Sequence, residues 1–393
     1  MSDKVPDGWK KYKLGDIVRL NPYSIDSNFK YSQIVYLDTG SIKEGKITEL
    51  KEYKLTDAPS SAKRLVKNNN IIYSTVRPIQ RHYGIIKNPP DNMVVSNGFV
   101  VLEAIEEIID PYFLYYFLTL DKIIDTLEAI AEASSSVYPT FRIPVLENLT
   151  IFLPSLPEQR AIASVLSSID DKIDLLHREN KTLEAMAETL FRQWFIEEAE
   201  DDWEEVSLKD IYTFEKGFEP GSDSYLKEKS EDAIRFIRVK DLPEDTASIY
   251  IRKNIAEKIC TADDLLMSFD GTPGKLNFGL ESAYSSGIRK IYSTNPLYNN
   301  LGLKYLIFKS KSIQDTIKAY SVGTVIIHAG SSIDNLVFSF PDENKIAEFN
   351  NLIDPIFTKI QLNKVQIRTL TQLRDTLLPK LMSGEVRVDL CQS

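Results

Sequence analysis

A stripe of largely apolar residues at heptad spacing runs through residues 158–195. Successive members of the stripe lie alternately four and three residues apart, which is the spacing of a coiled-coil seam. Pro157 precedes the stripe and suits the first turn of a helix. A helix of about 38 residues would be roughly 57 Å long and could not bury such a stripe alone, so a partner is required. The seam positions are Ile162, Leu166, Ile169, Ile173, Leu176, Asn180, Leu183, Ala187, Leu190 and Trp194.

The same chain contains a second seam, 187 positions after the first and in the same register. One amphipathic stripe is common, but two stripes in identical register indicate an internal repeat. The second seam therefore predicts the partner helix. Its positions are Phe349, Ile353, Ile356, Ile360, Asn363, Ile367, Leu370, Arg374, Leu377 and Leu381.

The repeat extends into the segments that precede the two seams. Trp9 aligns with Trp203 and Leu14 with Leu208, both at a separation of 194 residues. The separation falls to 187 before the second seam, which predicts a second globular unit about seven residues shorter than the first. The chain therefore reads as a globular unit, a long helix, a second globular unit and a second long helix.

These patterns predict a mixed α/β (α+β) protein with an internal pseudo-two-fold repeat. Its two globular domains are expected at residues 1–155 and 201–340, joined by two long helices, at 156–200 and 341–393, that form an antiparallel coiled coil. Short apolar runs between turn residues predict strands, and amphipathic runs predict helices. The predicted strands are Ile34–Leu37, Ile71–Tyr73, Val94–Leu102, Ile234–Val239, Leu265–Phe269 and Leu303–Phe308, and the predicted helices are Pro111–Ala133 and Ser312–Tyr320.

Two cysteines, Cys260 and Cys391, exclude a disulfide framework and a cysteine-rich zinc site, and they favour the reducing cytoplasm. We expect no signal peptide and no membrane span, because the N-terminus is polar and no run of 18 residues is apolar. The three histidines lie far apart in the sequence, so no metal site is predicted.

The net charge of −10 argues against a nonspecific nucleic-acid coat, but the charge is unevenly distributed. Residues 58–90 contain six lysines and arginines and no acidic residue. A DNA-binding face needs such cations for phosphates, with arginine or glutamine to read base edges. The alternative is a solvated loop whose cations have no ligand. The predicted DNA-binding residues of the first unit are Lys63, Arg64, Lys67, Arg77, Gln80 and Arg81.

The corresponding window of the second unit, residues 271–300, is less basic and includes Glu281. By its position in the repeat it predicts a second DNA-binding face. The candidate residues there are Lys275, Asn277, Arg289 and Lys290.

No convincing catalytic motif occurs in the sequence. Residues 88–91, Asn-Pro-Pro-Asp, resemble the motif of amino methyltransferases, but an aspartate replaces the aromatic residue that would stack on a flipped base. Asp342 and Glu343 are neighbours at a predicted helix start, where they suit capping better than metal binding. No phosphate-binding glycine loop is present. We therefore predict no catalytic residue and no cofactor in this chain.

Several of these segments resemble the type I restriction–modification specificity subunits. Leu153–Ile162 and Leu190–Phe195 are similar to the central region of that family, and Leu377–Glu385 is similar to its C-terminal signature. Trp9 with residues 14–17, and the turn at residues 269–274, resemble weaker motifs of its recognition domains. The second helix start, residues 341–345, lacks the Pro-Glu-Gln-Arg run, which puts equivalent docking at that end in question.

The resemblance implies that each globular unit is a target recognition domain for one half of a bipartite DNA sequence. It also implies that the coiled coil sets the spacer and docks two DNA-methyltransferase subunits, which bring S-adenosylmethionine. Restriction subunits would add translocation and cleavage. Two alternatives remain open from the sequence: a coiled-coil adaptor that does not bind DNA, and a self-sufficient DNA methyltransferase.

The two seams also predict a register. Each seam contains one asparagine, and polar seam residues set register because buried amides require partners. Pairing Asn180 with Asn363 in antiparallel helices places Trp194 opposite Phe349 and Ile169 opposite Arg374. The guanidinium of Arg374 would then have to reach outward from the seam.

Overall fold

The computed structural model describes residues 6–134, 137–243, 245–323 and 327–388. It divides into two compact units, one of residues 1–172 with 370–393 and one of residues 173–369. Each unit contains one globular module together with segments of both long helices. Because the units do not coincide with the predicted domain boundaries, those boundaries stay a prediction.

The first module is built from three sheets and a hairpin. β1 pairs with β12; β2, β11, β8 and β9 form a second sheet in that order; and β6, β3, β10 and β7 form a third. β4 and β5 form the separate hairpin. The strands are β1 (Lys10–Lys13), β2 (Val18–Leu20), β3 (Gln33–Leu37), β4 (Ile42–Lys43), β5 (Lys46–Ile47), β6 (Lys51–Lys54), β7 (Ala62–Leu65), β8 (Ile71–Ser74), β9 (Tyr83–Ile85), β10 (Met93–Ser96), β11 (Phe99–Ala104) and β12 (Thr150–Leu153).

Three helices complete the first module: α1 (Pro111–Leu118), α2 (Asp121–Ser134) and α3 (Ile143–Glu147). The carboxylate of Asp110 caps α1 by accepting hydrogen bonds from the backbone of Tyr112 and Phe113, at 3.0 Å each. The predicted single helix over Pro111–Ala133 is wrong, because the chain breaks at Thr119 and Leu120 between α1 and α2.

The second module repeats this arrangement within residues 201–340. Its helices are α5 (Leu208–Ile211), α6 (Leu301–Lys309) and α7 (Lys311–Ala319). Its strands are β13 (Glu204–Ser207), β14 (Thr213–Lys216), β15 (Ala233–Ile237), β16 (Tyr250–Arg252), β17 (Ile259–Cys260), β18 (Leu265–Ser268), β19 (Leu276–Asn277), β20 (Ser282–Tyr284), β21 (Ile288–Tyr292) and β22 (Val337–Phe340).

The three sheets of the two modules correspond strand for strand, which confirms the internal repeat, although among the described residues the β4–β5 hairpin has no counterpart in the second module. β13 pairs with β22 as β1 pairs with β12, and the order β14-β21-β18-β19 matches β2-β11-β8-β9. The order β16-β15-β20-β17 matches β6-β3-β10-β7, and its one parallel pair, β15 with β20, matches β3 with β10. The mixed α/β class with two repeated modules is therefore confirmed.

Two further strand predictions are wrong. Residues 303–308 lie in α6, where they are buried on all sides, so a short run that is apolar except for Lys304 does not distinguish a strand from a helix. The predicted strand Val94–Leu102 is interrupted at Asn97 and Gly98, which separate β10 from β11 in different sheets.

Two long helices carry the predicted seams: α4 (Leu156–Arg192) and α8 (Glu343–Met382). In the second unit they run antiparallel, with Asn180 beside Asn363 and Trp194 beside Phe349. The Nδ2 of Asn363 donates to Oδ1 of Asn180 at 2.8 Å, and both side chains are buried. The ring centroids of Trp194 and Phe349 are 5.7 Å apart. The predicted register is confirmed for this segment.

In the first unit, the guanidinium of Arg374 forms ion pairs beside the seam instead of only extending into solvent. Its Nη1 donates to Oδ1 of Asp170 at 3.0 Å, while the hydroxyl of Tyr116 donates to Oδ2 of the same carboxylate at 2.7 Å. Asp375 accepts a further hydrogen bond from Nη2 at 2.8 Å. The carboxylate of Asp170 thus links α8 to α1 through α4.

The starts of the two long helices are stabilised differently. The side chain of Gln159 is buried, accepts from the backbone of Asp110 at 2.9 Å, and donates to the carbonyls of Ile108 and Pro154. At the start of α8, the carboxylate of Asp342 accepts from the backbone of residues 344 and 345, as the capping interpretation predicted. No helix within the described residues is long and apolar enough to cross a membrane.

Candidate nucleic-acid interface

The structure divides the basic window of the first module into two groups. The backbone of Asn97 bonds to Ser61 and that of Thr75 bonds to Gly98, so the start of β7 and the end of β8 meet at one turn. The exposed Lys63 lies at the start of β7, whereas Lys67 follows its other end. The five predicted cations therefore lie in two segments, with Lys63, Arg64 and Lys67 on or just after β7 and Arg77 and Arg81 at the turn after β8.

Residues 77–81, which connect β8 to β9, form a short helical turn with unusual backbone geometry. Arg77 and Arg81 flank it in the left-handed region, at φ of +44° and +59°. Such angles are costly for residues other than glycine and persist only where the surroundings determine them. Here the backbone of Arg77 donates to the carbonyl of Pro139 at 3.0 Å, and that of Ile79 donates to the carboxylate of Glu128 at 2.8 Å. The turn is therefore held in one conformation.

The three polar side chains of this turn differ in availability. Those of Arg77 and Gln80 are exposed, and Nη2 of Arg77 makes a long 3.4 Å bond to the carbonyl of Val137. The guanidinium of Arg81 instead contacts Asp121 at 2.7 Å and Glu44 at 3.6 Å. Arg77 and Gln80 can therefore reach a ligand, while Arg81 mainly fixes the turn.

Two lysines absent from the predicted set lie beside this turn. The β4–β5 hairpin bonds to it through the backbone of Glu44, which donates to Arg81, and of Gly45, which donates to Tyr83. The exposed side chains of Lys43 and Lys46 flank the hairpin turn. Residues 42–47, Ile-Lys-Glu-Gly-Lys-Ile, have a hairpin pattern that could have identified these lysines from the sequence.

Lys43 also acts on a neighbouring side chain. Burial, and then the nearby charge of Lys43, lower the pKa of His82. Lys43, Lys46, Arg77 and Gln80 together define what we call the basic turn surface.

The other predicted residues of the first module are partly engaged. The Nη1 of Arg64 donates to the hydroxyl of Ser24 at 3.3 Å. The ammonium of Lys67 lies 3.7 Å above the ring of Tyr23. Both residues can still contact phosphate, so their roles in DNA binding stay predictions.

The structure argues against DNA contact by Asn277 in the second module. This side chain is 6% exposed, and its Nδ2 donates to the carbonyl of Leu242 at 2.6 Å. Its Oδ1 accepts from the backbone of Phe278 and from Nζ of Lys364, each at 2.8 Å. Burial and these three hydrogen bonds leave the amide little access to a base, but DNA contact by Asn277 stays a prediction.

The remaining candidates of the second module differ in exposure. Lys275 is exposed, whereas Arg289 donates to the carbonyl of Ser286 at 2.6 Å. Lys290 pairs with Glu215 at 3.3 Å. Burial alone would raise the pKa of Glu215, but hydrogen bonds from Tyr284 and Lys258 and the charge of Lys290 lower it. Lys290 is therefore largely neutralised, and DNA contact by these three residues stays a prediction.

The remaining chemistry-bearing groups do not assemble into a catalytic site. Residues 88–91 lie in the connection between β9 and β10, and Asn88, Pro90 and Asp91 are exposed. His328 pairs with Asp270 at 2.7 Å on the surface. Across the described ranges, no three residues among histidine, cysteine, aspartate and glutamate are grouped so as to hold a metal ion. Cys260 is buried with a free thiol, and Cys391 lies outside the described residues.

Comparison with known proteins indicates the family. Residues 6–185 match the family model for the type I restriction modification DNA specificity domain. The HindI specificity subunit of Haemophilus influenzae is 25% identical, over 96% of this chain and 99% of its own length. Along nearly its whole length the chain is therefore similar to a type I restriction–modification specificity subunit. The MjaIX specificity subunit of Methanocaldococcus jannaschii is 27% identical, over 97% of this chain and 89% of its own length.

A solved structure shares the fold of this chain. The S subunit of the type I restriction–modification system of M. genitalium superimposes with a TM-score of 0.56 at 17% identity, covering 99% of this chain and 98% of that one. The matched domain model and the curated relatives favour a DNA-recognition subunit over the two alternatives, the adaptor without DNA and the self-sufficient methyltransferase. This likeness implies assembly with DNA and with a restriction–modification complex.

Proposed function

We propose that the chain recognises a bipartite DNA target, with each module reading one half. The observation that carries this proposal is the basic turn surface, where exposed cations lie on a conformationally fixed turn. Arginine can donate two hydrogen bonds to guanine, and glutamine can pair with adenine in the same way. We assign base reading to Arg77 and Gln80, and phosphate contact to Lys43 and Lys46.

We further propose that α4 and α8 set the spacer between the half-sites. Neither helix is interrupted, and α8 continues over 40 residues. A helical pair with a polar layer at Asn180 and Asn363 has one preferred register and so transmits distance reproducibly. The second module is expected to read its half-site with Lys275 and other exposed groups of the corresponding surface.

The finer partner assignments belong to the same proposal. Two DNA-methyltransferase subunits would dock on the helices and supply S-adenosylmethionine, and restriction subunits would add translocation and cleavage. This chain would bind no cofactor of its own, and the complex would act in the cytoplasm. The exposed apolar residues of the helices, such as Met186 and Leu362, support a docking role because they remain uncovered within their own unit.

The experiment is to substitute Arg77 and map the bases that are methylated. With its methyltransferase partner, Arg77→Ala should lose about 1–3 kcal/mol of binding free energy and relax the preference at one base pair of one half-site. The matched control is Arg19→Ala. Arg19 is an exposed arginine on β2, at the opposite edge of the same sheet from β9. If Arg77→Ala keeps both affinity and site preference, the basic turn surface does not read DNA.

A further inference from the structure

Three polar side chains on one face of α8 form hydrogen bonds with the second module. Gln361, Lys364 and Arg368 are spaced three and four residues apart, so they project from the same side of the helix. Each contacts the globular module, and the contacts of Lys364 and Arg368 converge on the four residues, 278–281, that connect β19 to β20.

Lys364 makes the central contact. Its Nζ donates to Oδ1 of Asn277 at 2.8 Å and to the carbonyl of Phe278 at 3.1 Å. The same ammonium lies 3.8 Å from the centroid of the Phe278 ring, within the range of a cation–π interaction. Lys364 therefore contacts the side-chain amide of Asn277 and both the backbone carbonyl and the ring of Phe278.

Arg368 extends the contact by one turn of α8. Its Nη1 donates to the carbonyl of Gly279 at 2.8 Å and lies 3.7 Å from the carboxylate of Asp245. On the other side, Nε2 of Gln361 donates to the carbonyl of Ala262 at 2.9 Å and to Asp263 at 3.1 Å. The segment between β19 and β20 is therefore held at consecutive positions along the helix axis.

The segment that Lys364 and Arg368 contact also has constrained geometry. Gly279 has a φ of +75°, and a Cβ there would lie 3.3 Å from Cδ of Lys364, so the helix approaches this backbone closely. Asn277 is fixed by its bond to the carbonyl of Leu242. A segment held by several directional bonds leaves the module little freedom to slide or pivot on α8.

We propose that Lys364 and Arg368 are positioning residues that fix the second recognition module on α8 and thereby restrict the spacer lengths that the subunit accepts. This inference rests on the proposed function of the helices. Neighbouring spacers differ by about 3.4 Å per base pair, a displacement that a small pivot of an unclamped module could absorb. The half-site sequence should not change, because neither residue belongs to the proposed base-reading surface.

Burial supports the choice of an apolar replacement. It lowers the pKa of Lys364 to about 8, so the folded protein bears a cost for keeping this ammonium charged. Methionine keeps most of the length of the side chain and removes that cost, which offsets part of the lost hydrogen bonding. The double variant Lys364→Met with Arg368→Gln should therefore fold.

The experiment measures binding of the complex with its methyltransferase partner to duplexes that differ only in spacer length. Half-sites are taken from mapped methylation sites, and spacers run from two base pairs shorter to two longer than the native one. The double variant should lose at least about fivefold of its discrimination between the native spacer and its neighbours, with a smaller change at the native spacer. Lys359→Met is the control, since Lys359 lies on the same helix and pairs with Glu179 instead of the module.

Unchanged discrimination in a folded double variant would overturn the proposal, as would an equal loss of affinity for every spacer. If the double variant does not fold, Arg368→Gln alone serves, because this side chain is 34% exposed. It should give an intermediate loss of discrimination, and no loss would again overturn the proposal. Lengthening both helices separates the two hypotheses. If the preferred spacer grows with the helices but the double variant keeps its spacer discrimination, only the role of Lys364 and Arg368 is rejected. If the preferred spacer does not change with helix length, the proposed function of the helices is rejected.

Discussion

The two modules share a strand order but are attached to their long helices in different ways. In the second module, Lys364 and Arg368 hold the four-residue connection between β19 and β20. The corresponding connection of the first module, between β9 and β10, has seven residues and meets α4 through an ion pair of Lys87 with Asp171 at 3.2 Å. Those side chains are 50% and 64% exposed, and exposed pairs contribute about 0–1 kcal/mol.

The first module is attached elsewhere. Gln159 joins the start of α4 to the segment before α1, and Tyr116 reaches Arg374 through Asp170. Near the C-terminus, Nη2 of Arg387 donates to Glu158 at 2.9 Å. The two copies of the repeat therefore share their strand topology and the heptad seams of their helices, but they differ in the polar contacts that join each module to those helices.

The largest expected effect concerns the helices that both modules use. One heptad added between residues 172 and 173 and another between residues 370 and 371 keeps the seams paired and leaves Lys364 with its module. Each helix lengthens by roughly 10 Å, so the preferred spacer should grow by up to about 3 base pairs. The half-sites should stay the same. Sequencing the sites methylated by the lengthened complex measures the spacer and the half-sites. An unchanged spacer at full activity would contradict the proposal that the helices set the spacer.

The attachment of the first module should be the more sensitive to loss of a single amide. Gln159→Ala leaves the backbone of Asp110, Ile108 and Pro154 without its partner in a buried site, at a cost of about 2–4 kcal/mol. Gln361→Ala, on a half-buried side chain of the second unit, should cost less than about 1 kcal/mol. Thermal or urea denaturation compares the two variants. Equal losses would show that the two attachments are energetically alike despite their different contacts.

A smaller effect is expected at Lys304, which occupies the place in α6 that Leu114 occupies in α1. Lys304 is 1% exposed, and burial lowers its pKa to about 8 from an ordinary value of 10.5. Between these values the unfolded chain binds more protons than the folded one, so this group makes the free energy of unfolding rise with pH. Lys304→Leu should stabilise the protein by about 1–3 kcal/mol at pH 7.

That gain should shrink as the pH rises through the same window. The measurement is the difference in free energy of unfolding between variant and parent at pH 7 and at pH 10, which cancels the other titrating groups. A destabilised variant would mean that the hydrogen bond from Lys304 to Asn299, at 2.8 Å, outweighs the cost of burial.

The periodic part of the structure was accessible from the sequence. Heptad spacing and two seams at a constant separation predict α4, α8 and the pairing of Asn180 with Asn363, because a coiled coil depends on local periodicity and on one polar layer. The repeat in the modules was also visible, since Trp9 and Leu14 recur as Trp203 and Leu208.

The side-chain environments of the candidate site were not accessible in the same way. Asn277 and Arg81 look like DNA-binding residues in a linear window, yet Asn277 is buried and bonded to Leu242 and Lys364, and Arg81 pairs with Asp121. Those partners lie 35 or more residues away, so only the tertiary fold brings them together. The strand predicted at Leu303–Phe308 was wrong for a related reason, because complete burial removes the amphipathic period that would identify a helix.

The division of the long helices between the two units bears on how the protein is synthesised. The second unit is one continuous segment, residues 173–369, whereas the first requires residues 370–393 as well. Leu381 and Met382 are buried in its core, and Gly384 packs near Trp9. On the ribosome, the module made first therefore waits for the last residues of the chain, and the module made second can be completed before it. Proteolysis of nascent chains arrested before Leu370 would reveal this reversed order as a protected second unit and a labile first one.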